Sequence, residues 1–571
     1  MDTQWNIRRP DRRAVQDLAA GLDCHPIIAA LLVNRGIRDR ETAETYLRPT
    51  LATLRSPFSI RDMDAAVTRI HRAITANERI LVFGDYDVDG VTGTTLLVEF
   101  LSATGADLSY YIPHRTREGY GLRAAHITDH AHPTGIDLII TVDCGSSSRD
   151  AVQAAAARGI DVIITDHHTI SDSIPEAVAV INPRRADCPS GFGHLAGVGV
   201  AFALLICLRR HLREHAFWKG QPEPNLKDLC DLVALGTVAD MVPLITENRS
   251  LSRAGLEVIN AGRRTGIQAL IRAAGMRGDS AGAEDIAFRL GPRINAAGRI
   301  EHAAAAVELL STDDAARAAR IAADLNRLNQ QRRETEGRIL AQILEHLDAH
   351  PRLLSRKTLV LSHPDWHEGV LGIVASKLKD RFYRPILLLT VRDGVARGSG
   401  RSIPGIDLYA CLSDCSEMLT RFGGHTMAAG MSLDADRVPA FRDRFESVVA
   451  ESAGPDAFVP TLDIDGEIDL ADVSAGFLDE LEMLSPFGAG NPEPLFMARN
   501  ITVAYSRIVG QYHRRMTLRQ RGEAGSRSIQ AIHFKVDPNT RSPSRFDRLA
   551  FRLGWNRWNG RKTPQIIVTQ T

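Results

Sequence analysis

The chain has 571 residues, 44% of them hydrophobic and 24% charged, with 69 Lys and Arg against 69 Asp and Glu. That length implies about three or four globular domains, and no apolar run approaches the ~20 residues that cross a bilayer. The N-terminus lacks the apolar core of a secretion signal and the seven cysteines are scattered, so membrane and secreted classes are set aside and a reduced, cytoplasmic protein is expected.

Residues 1–76 read as a helical segment without evident catalytic groups, including a short apolar helix over 25–32 stopped by Gly36. The apolar run 80–83 reads as a buried strand; Asp85, Asp87 and Asp89 follow in one short turn, and helical spacing takes over at 94–101. Three carboxylates so close raise one another's pKa unless a cation intervenes, so a divalent metal site with hard oxygen ligands is the economical reading. A solvated turn is the bland alternative.

Further strands are expected at 108–113, 136–142 and 160–165, the last two ending at Asp143 and at Asp166, His167 and His168. Strands alternating with helices argue for a parallel sheet, whose strand C-termini share one edge, so Asp87, Asp89, Asp143 and His167 can converge there. A buried helix over 229–238 runs into Asp240, a weak signal alone. Helical spacing from 301 to 350 predicts one long helix, or two in series, connecting two lobes.

The second lobe begins near Lys357 and carries two glycine-rich stretches, 396–402 and 422–430. Open backbone there, with Arg401 and His425, suits an anion pocket. Cys411 and Cys415 suit core positions of one helix better than a zinc knuckle. Residues 501–571 hold 14 Lys and Arg against 3 Asp and Glu, leaving 55 against 66 in the first 500. About five short strands in that basic tail, with Tyr505, Phe534, Trp555 and Trp558, suit a small barrel that stacks bases and tracks phosphates.

Together, DYDVDG at 85–90, VDCG at 142–145, DHH at 166–168 and GTVAD at 236–240 resemble the successive motifs of the DHH phosphoesterase superfamily. GPRINAAGR at 291–299, EGVLGIVAS at 368–376 and GGH at 423–425 narrow the resemblance to the RecJ single-strand-specific exonucleases, over essentially the whole chain. The resemblance implies two α/β lobes, DHH and DHHA1-like, joined by a long helix, with a C-terminal OB-like β-barrel. The corresponding division is 1–76 N-terminal, 77–300 DHH, 301–350 connecting helix, 351–459 DHHA1-like and 460–571 OB-fold.

The resemblance further implies that Asp87, Asp89, Asp143, His167 and Asp240 ligate two divalent cations, Mn²⁺ or Mg²⁺, the imidazole favouring Mn²⁺. Asp85 and Asp166 are then supporting carboxylates, and His168 orients the site or contacts the scissile phosphate. Ser399, Arg401, Gly424 and His425 would hold the terminal phosphate, with Arg115 as a helper, and Arg293 and Arg299 would contact phosphates behind the cut. The implied activity is 5′-to-3′ digestion of single-stranded DNA to 5′-mononucleotides by two-metal hydrolysis, in recombination and repair. It also implies a single-strand-binding protein and a helicase as partners; oligomerisation is left open by the sequence, with a monomer as the default expectation. The alternatives are a DHH oligoribonuclease or cyclic-dinucleotide phosphodiesterase, and a non-catalytic scaffold for single-stranded DNA. One departure is Phe83, which stands where some DHH relatives carry a histidine and predicts weaker binding of one metal.

Overall fold

The computed structural model describes residues 3–115, 117–170, 173–276, 278, 280–300, 302–522, 525–558 and 561–571. The chain divides into two compact units, Ile7–Leu325 with Asp463–Thr571, and Met1–Asn6 with Asn326–Leu462. No helix among the described residues is long and apolar enough to cross a membrane.

In the first unit five parallel strands lie in the order Leu108–Tyr111, Ile80–Gly84, Leu138–Val142, Asp161–Thr165 and Ala179–Ile181. Ile80–Gly84 and Leu138–Val142 are buried throughout, as continuous apolar runs are when both faces of a parallel sheet are covered. Numbered along the chain the order is 2-1-3-4-5, so strand addition reverses direction between these two. Open α/β sheets bind ligands at that reversal, outside the strand C-termini.

The helix after the first strand begins earlier than its apolar spacing predicts, running Val88–Ser102. Asp87 caps it, accepting from the Asp89 N–H at 2.9 Å and the Gly90 N–H at 3.2 Å. Asp89 therefore belongs to the first helical turn, and only Asp85 and Asp87 remain outside it. Gly90 is a packing residue here, because a Cβ would come within 2.6 Å of the Asp85 backbone.

The helical pattern of 301–350 resolves into two helices, Ala304–Ser311 and Ala315–Ala349. Asp314 starts the second by accepting from the Ala316 N–H at 2.8 Å. At 35 residues it is about 52 Å long.

In the second unit the strands order as Arg421–His425, Ala428–Asp434, Val395–Arg401, Ile386–Arg392 and Leu359–His363, only the last pair being parallel. This corrects the reading of the glycine-rich stretches as open backbone. Val395–Arg401 is an interior strand with its backbone committed to ladders on both sides, and Arg421–His425 is the edge strand of the same sheet. Gly398 is there for close approach: a Cβ would lie 2.0 Å from the Leu388 carbonyl oxygen. Cys411 and Cys415 are both buried, but the helix Leu408–Ser413 ends between them.

The C-terminal strands Phe496–Val509, His513–Gly522, Gly525–His533, Arg545–Trp558 and Arg561–Gln570 close into a five-stranded barrel, the first pairing with both the second and the fourth. Phe496, Leu518, Phe551 and Ile566 in its core share one cluster with Ile28, Leu31 and Leu32 of the helix Pro26–Asn34. The N-terminal segment is thus part of the barrel's packing.

Candidate active site

Asp85 and Asp87 leave the strand Ile80–Gly84, Asp143 leaves Leu138–Val142, and Asp166, His167 and His168 leave Asp161–Thr165. Asp240 caps the C-terminus of the helix Cys230–Ala239. Donor atoms of Asp89, His167 and Asp240 fall within 4.8 Å of one another, as do those of Asp85, Asp87 and Asp143, and those of Asp143, His167 and His168. His167 Nε2 stands 3.1 Å from Asp143 Oδ1, 3.6 Å from Asp240 Oδ2 and 3.7 Å from Asp89 Oδ2. Asp240 thus faces the sheet edge.

The carboxylates are held by backbone. Asp89 accepts from the Gly197 N–H at 2.6 Å and the Val198 N–H at 2.8 Å, the first amides of the helix Gly197–Glu214. A helix N-terminus stabilises negative charge. Gly197 must be glycine, since a Cβ would sit 2.6 Å from Asp143 Cβ, and Gly236 is tight in the same way, its Cβ 2.4 Å from Thr92 Oγ1. Asp166 accepts from the backbone N–H of Ser146 (2.9 Å), His167 (2.7 Å) and His168 (3.1 Å), and pairs with His168 Nδ1 at 2.8 Å. The Tyr120 hydroxyl spans from His168 Nδ1 (3.0 Å) to the Asp143 carbonyl (2.9 Å).

Burial, then the neighbouring charge of Asp87, pushes the Asp89 carboxyl up to about 7. Burial, then Asp89 and Asp87, pushes Asp240 up to about 9, and Asp143 and Asp85 are raised well above the carboxylate range for the same kinds of reason. Burial, then the adjacent His168, carries His167 down to about 3. His168 goes the other way: burial lowers it, but the hydrogen bond and charge of Asp166 outweigh burial and carry it up to about 9. Asp166 is itself held well below the usual range by that partner, against its burial.

Asp85 Oδ1, Asp143 Oδ1 and His167 Nε2 are buried without a hydrogen-bond partner among the described residues. The 3.1 Å approach of the last two therefore lacks hydrogen-bond geometry, and leaving such atoms unpaired is costly. Divalent cations resolve both the mutual repulsion and the orphaned atoms. The donor set, carboxylate oxygens with one neutral imidazole, fits Mn²⁺ or Mg²⁺. Phe83 supplies no donor: its ring is buried, stacked on Tyr111 at 5.7 Å.

Other predicted residues lie around or apart from this cluster. The Arg115 guanidinium sits over the Tyr86 ring at 4.9 Å. Arg293 and Arg299 lie on the helix Gly291–Ile300, where Arg293 Nη1 donates to the Arg289 carbonyl at 2.6 Å. Two unpredicted residues of that helix support the aspartate loop: Asn295 Oδ1 accepts from the Val88 N–H at 3.2 Å, and Gly298 allows the Tyr86 carbonyl to approach. Ser399, Arg401, Gly424 and His425 belong to the second unit. Arg401 and His425 flank Ala428 from opposite sides, and Arg401 Nη1 donates to Ser399 Oγ at 3.0 Å. Gly424 has φ +146° and a Cβ there would meet the Ala428 carbonyl, while Gly372 makes room for Arg401.

On the barrel, Tyr505, Tyr512 and Phe534 are 54%, 56% and 47% exposed. Trp555 differs from expectation, for its Nε1 donates to Asp479 at 3.0 Å and Lys562 covers its ring at 4.3 Å. The Trp558 side chain lies outside the described residues.

Family profiles match three segments: the DHH family, N-terminal domain, at 79–237, the DHHA1 domain at 355–451 and the RecJ OB domain at 464–570. The single-stranded-DNA-specific exonuclease RecJ of Escherichia coli (strain K12) is 37% identical over 584 residues, covering 100% of this chain and 99% of the relative. This chain belongs to the RecJ family. The crystal structure of RecJ from Thermus thermophilus in complex with Mn²⁺ superposes with a TM-score of 0.83 at 32% identity, over 100% of this chain and 79% of that one. RecJ from the same organism in complex with Mg²⁺ gives 0.76 at 31%, over 100% and 78%. Both RecJ structures carry ions that the carboxylate and imidazole donors found here can hold.

Proposed function

We infer that the protein is a metal-dependent exonuclease that degrades single-stranded DNA from its 5′ end and releases 5′-mononucleotides. The observation that carries this reading is the intact donor set, four carboxylates and His167 on one sheet edge with buried atoms that hydrogen bonds leave unmatched. A non-catalytic scaffold has no use for such a cluster, and a phosphodiesterase of short substrates has none for a basic barrel with exposed rings.

Asp87, Asp89, Asp143, His167 and Asp240, with Asp85 beside them, would hold two Mn²⁺ or Mg²⁺ ions, which activate water and neutralise charge during phosphodiester displacement. The chain's own groups prepare the site. Gly197 and Val198 fix Asp89, and Asp166 keeps His168 protonated so that this half-exposed imidazolium donates to a phosphate oxygen. Ser399, Arg401 and His425, with the close backbone approach at Gly424, take the 5′-terminal phosphate, which sets polarity because only a chain end carries that charge. Arg115, Arg293 and Arg299 take phosphates behind the cut. Tyr505, Tyr512 and Phe534 stack on unpaired bases, whose faces a duplex hides.

In this reading residues 77–300 perform the chemistry, 351–459 hold the strand's end, and 460–571 hold bases, with 1–76 bracing the barrel and 301–350 connecting. It also makes the protein a cytoplasmic monomer working beside a single-strand-binding protein and a helicase in recombination and repair. The test compares 5′-phosphorylated with 5′-hydroxyl single strands. A charge-assisted anchor contributes about 1.5–3 kcal/mol, so Arg401→Ala should lose ~10–100-fold in kcat/KM on the phosphorylated strand and little on the other. Equal loss on both strands would remove Arg401 from the anchor.

A further inference from the structure

We propose that His71, His211 and His215 form a second metal site, which takes one imidazole-preferring transition-metal ion of the Zn²⁺, Ni²⁺ or Cu²⁺ class. His71 lies on the helix Met63–Thr75, and His211 lies in the last turn of the helix Gly197–Glu214, with His215 just past it. Their i, i+4 spacing places His211 and His215 on one face. Their ring centroids are 4.2 Å apart, and the His71 ring is 5.0 Å from each.

One nitrogen from each of the three lies within 4.8 Å of the other two. His71 Nδ1 and His211 Nε2 are already 3.0 Å apart. Two nitrogens bound to one Zn²⁺ at ~2.1 Å lie roughly 3.0–3.4 Å apart for angles from square to tetrahedral, so this pair has chelate spacing. His215 Nδ1 pairs with the His211 carbonyl at 2.8 Å, so it carries the proton and Nε2 keeps its lone pair. Metal-bound histidines are oriented by such a second hydrogen bond. Burial, then neighbouring imidazoles, holds His71 and His211 below the ordinary imidazole value, which keeps their rings neutral and able to ligate. Glu214, the carboxylate on the same helix, is engaged by Arg210 at 2.8 Å, and Asp64 on the helix of His71 lies within electrostatic reach of His211.

The bland reading is a helix–helix contact that happens to use histidines. It accounts for the His71–His211 hydrogen bond, but not for the third ring, which brings a nitrogen within 4.8 Å of the other two. Chemistry separates the site from the carboxylate centre: an all-imidazole set prefers Zn²⁺, Ni²⁺ and Cu²⁺, whereas carboxylates suit Mn²⁺ and Mg²⁺. Distance separates it too. The helix that holds Asp89 with its first amides carries His211 fourteen residues later, about 21 Å along its axis.

The test is calorimetric titration of the full chain with ZnCl₂ in excess Mg²⁺, beside His215→Ala and His71→Gln. His215 is exposed, so its loss leaves the fold intact, and matching melting temperatures without Zn²⁺ verify that for each variant. The expected result is one fewer Zn²⁺ equivalent, or at least ~10-fold weaker binding of it, in both variants. A Zn²⁺-dependent rise in melting temperature should accompany binding in the parent and be lost in the variants. Identical stoichiometry and affinity in all three proteins would overturn the proposal, as would Mn²⁺ occupying the same equivalent as tightly as Zn²⁺.

Discussion

Gly197→Ala should inactivate the enzyme although the side chain added is a single methyl. A Cβ there would lie 2.6 Å from Asp143 Cβ, 2.7 Å from Oδ1 and 2.9 Å from Cα, where comfortable carbon contacts begin near ~3.5 Å. Relief needs a movement of about 0.9 Å by Asp143 or by the helix, and moving the helix pulls the Gly197 and Val198 amides from Asp89. Either route displaces a metal-ligating carboxylate. A displacement near 1 Å costs ~10²-fold in rate, and the overpacking destabilises by about 1–3 kcal/mol. Gly199 provides the control, because its Cβ would approach Leu195 no closer than 3.4 Å. Gly199→Ala should keep full activity and gain up to ~1 kcal/mol from helix propensity. The assay is the initial rate of mononucleotide release from a single-stranded oligonucleotide in excess Mn²⁺, with thermal melting on the same preparations. Parental rates for Gly197→Ala, or equal losses for both variants, would refute the reasoning.

Two further outcomes concern stability. Arg249 is buried and donates to the carbonyls of Tyr46, Met483, Leu484 and Ser485 at 2.8–2.9 Å; Arg249→Ala takes this donor from all four, Leu484 keeping the Asn491 amide at 2.9 Å, and should cost about 3 kcal/mol or more in urea unfolding, whereas a loss under ~1 kcal/mol would mean water replaces the guanidinium. Glu247 bridges Arg55 at 2.6 Å and His194 at 2.8 Å, and these hydrogen bonds outweigh burial and hold its carboxyl well below the usual value. The unfolded chain then binds the proton first, so this stabilisation is complete above about pH 4.5 and fades as pH falls further. Glu247→Gln should flatten the melting temperature's dependence on pH below that point; an unchanged acid limb would contradict it.

Much of the centre was legible because its ligands follow short apolar strands, and a parallel sheet brings strand ends together whatever lies between. Asp240 was the faint member, since helical spacing does not say which way a C-terminal residue faces. The supports of the site were not legible. The amides that hold Asp89 come from Gly197 and Val198, over a hundred residues away, and backbone donors leave no mark in a sequence. Asn295 meets Val88 from 207 residues away, and Tyr120 reaches Asp143 and His168 across 23 and 48 residues. The glycines of 396–402 and 422–430 were misread because turns and tightly packed strands use the same residue, and only the non-local ladder separates them. Ala179–Ile181 is too short to show a period. Trp555 reads like any exposed aromatic until Asp479 and Lys562 arrive from elsewhere.

The central claim is most directly tested by digesting 5′-labelled and 3′-labelled single strands and a matched blunt duplex, with and without Mn²⁺, beside Asp143→Ala. The account predicts prompt, Mn²⁺-dependent release of the 5′ label as mononucleotide, late release of the 3′ label, little action on duplex and no activity in the variant. Equal release from both ends, cleavage confined to very short oligomers, or activity surviving in Asp143→Ala would contradict it.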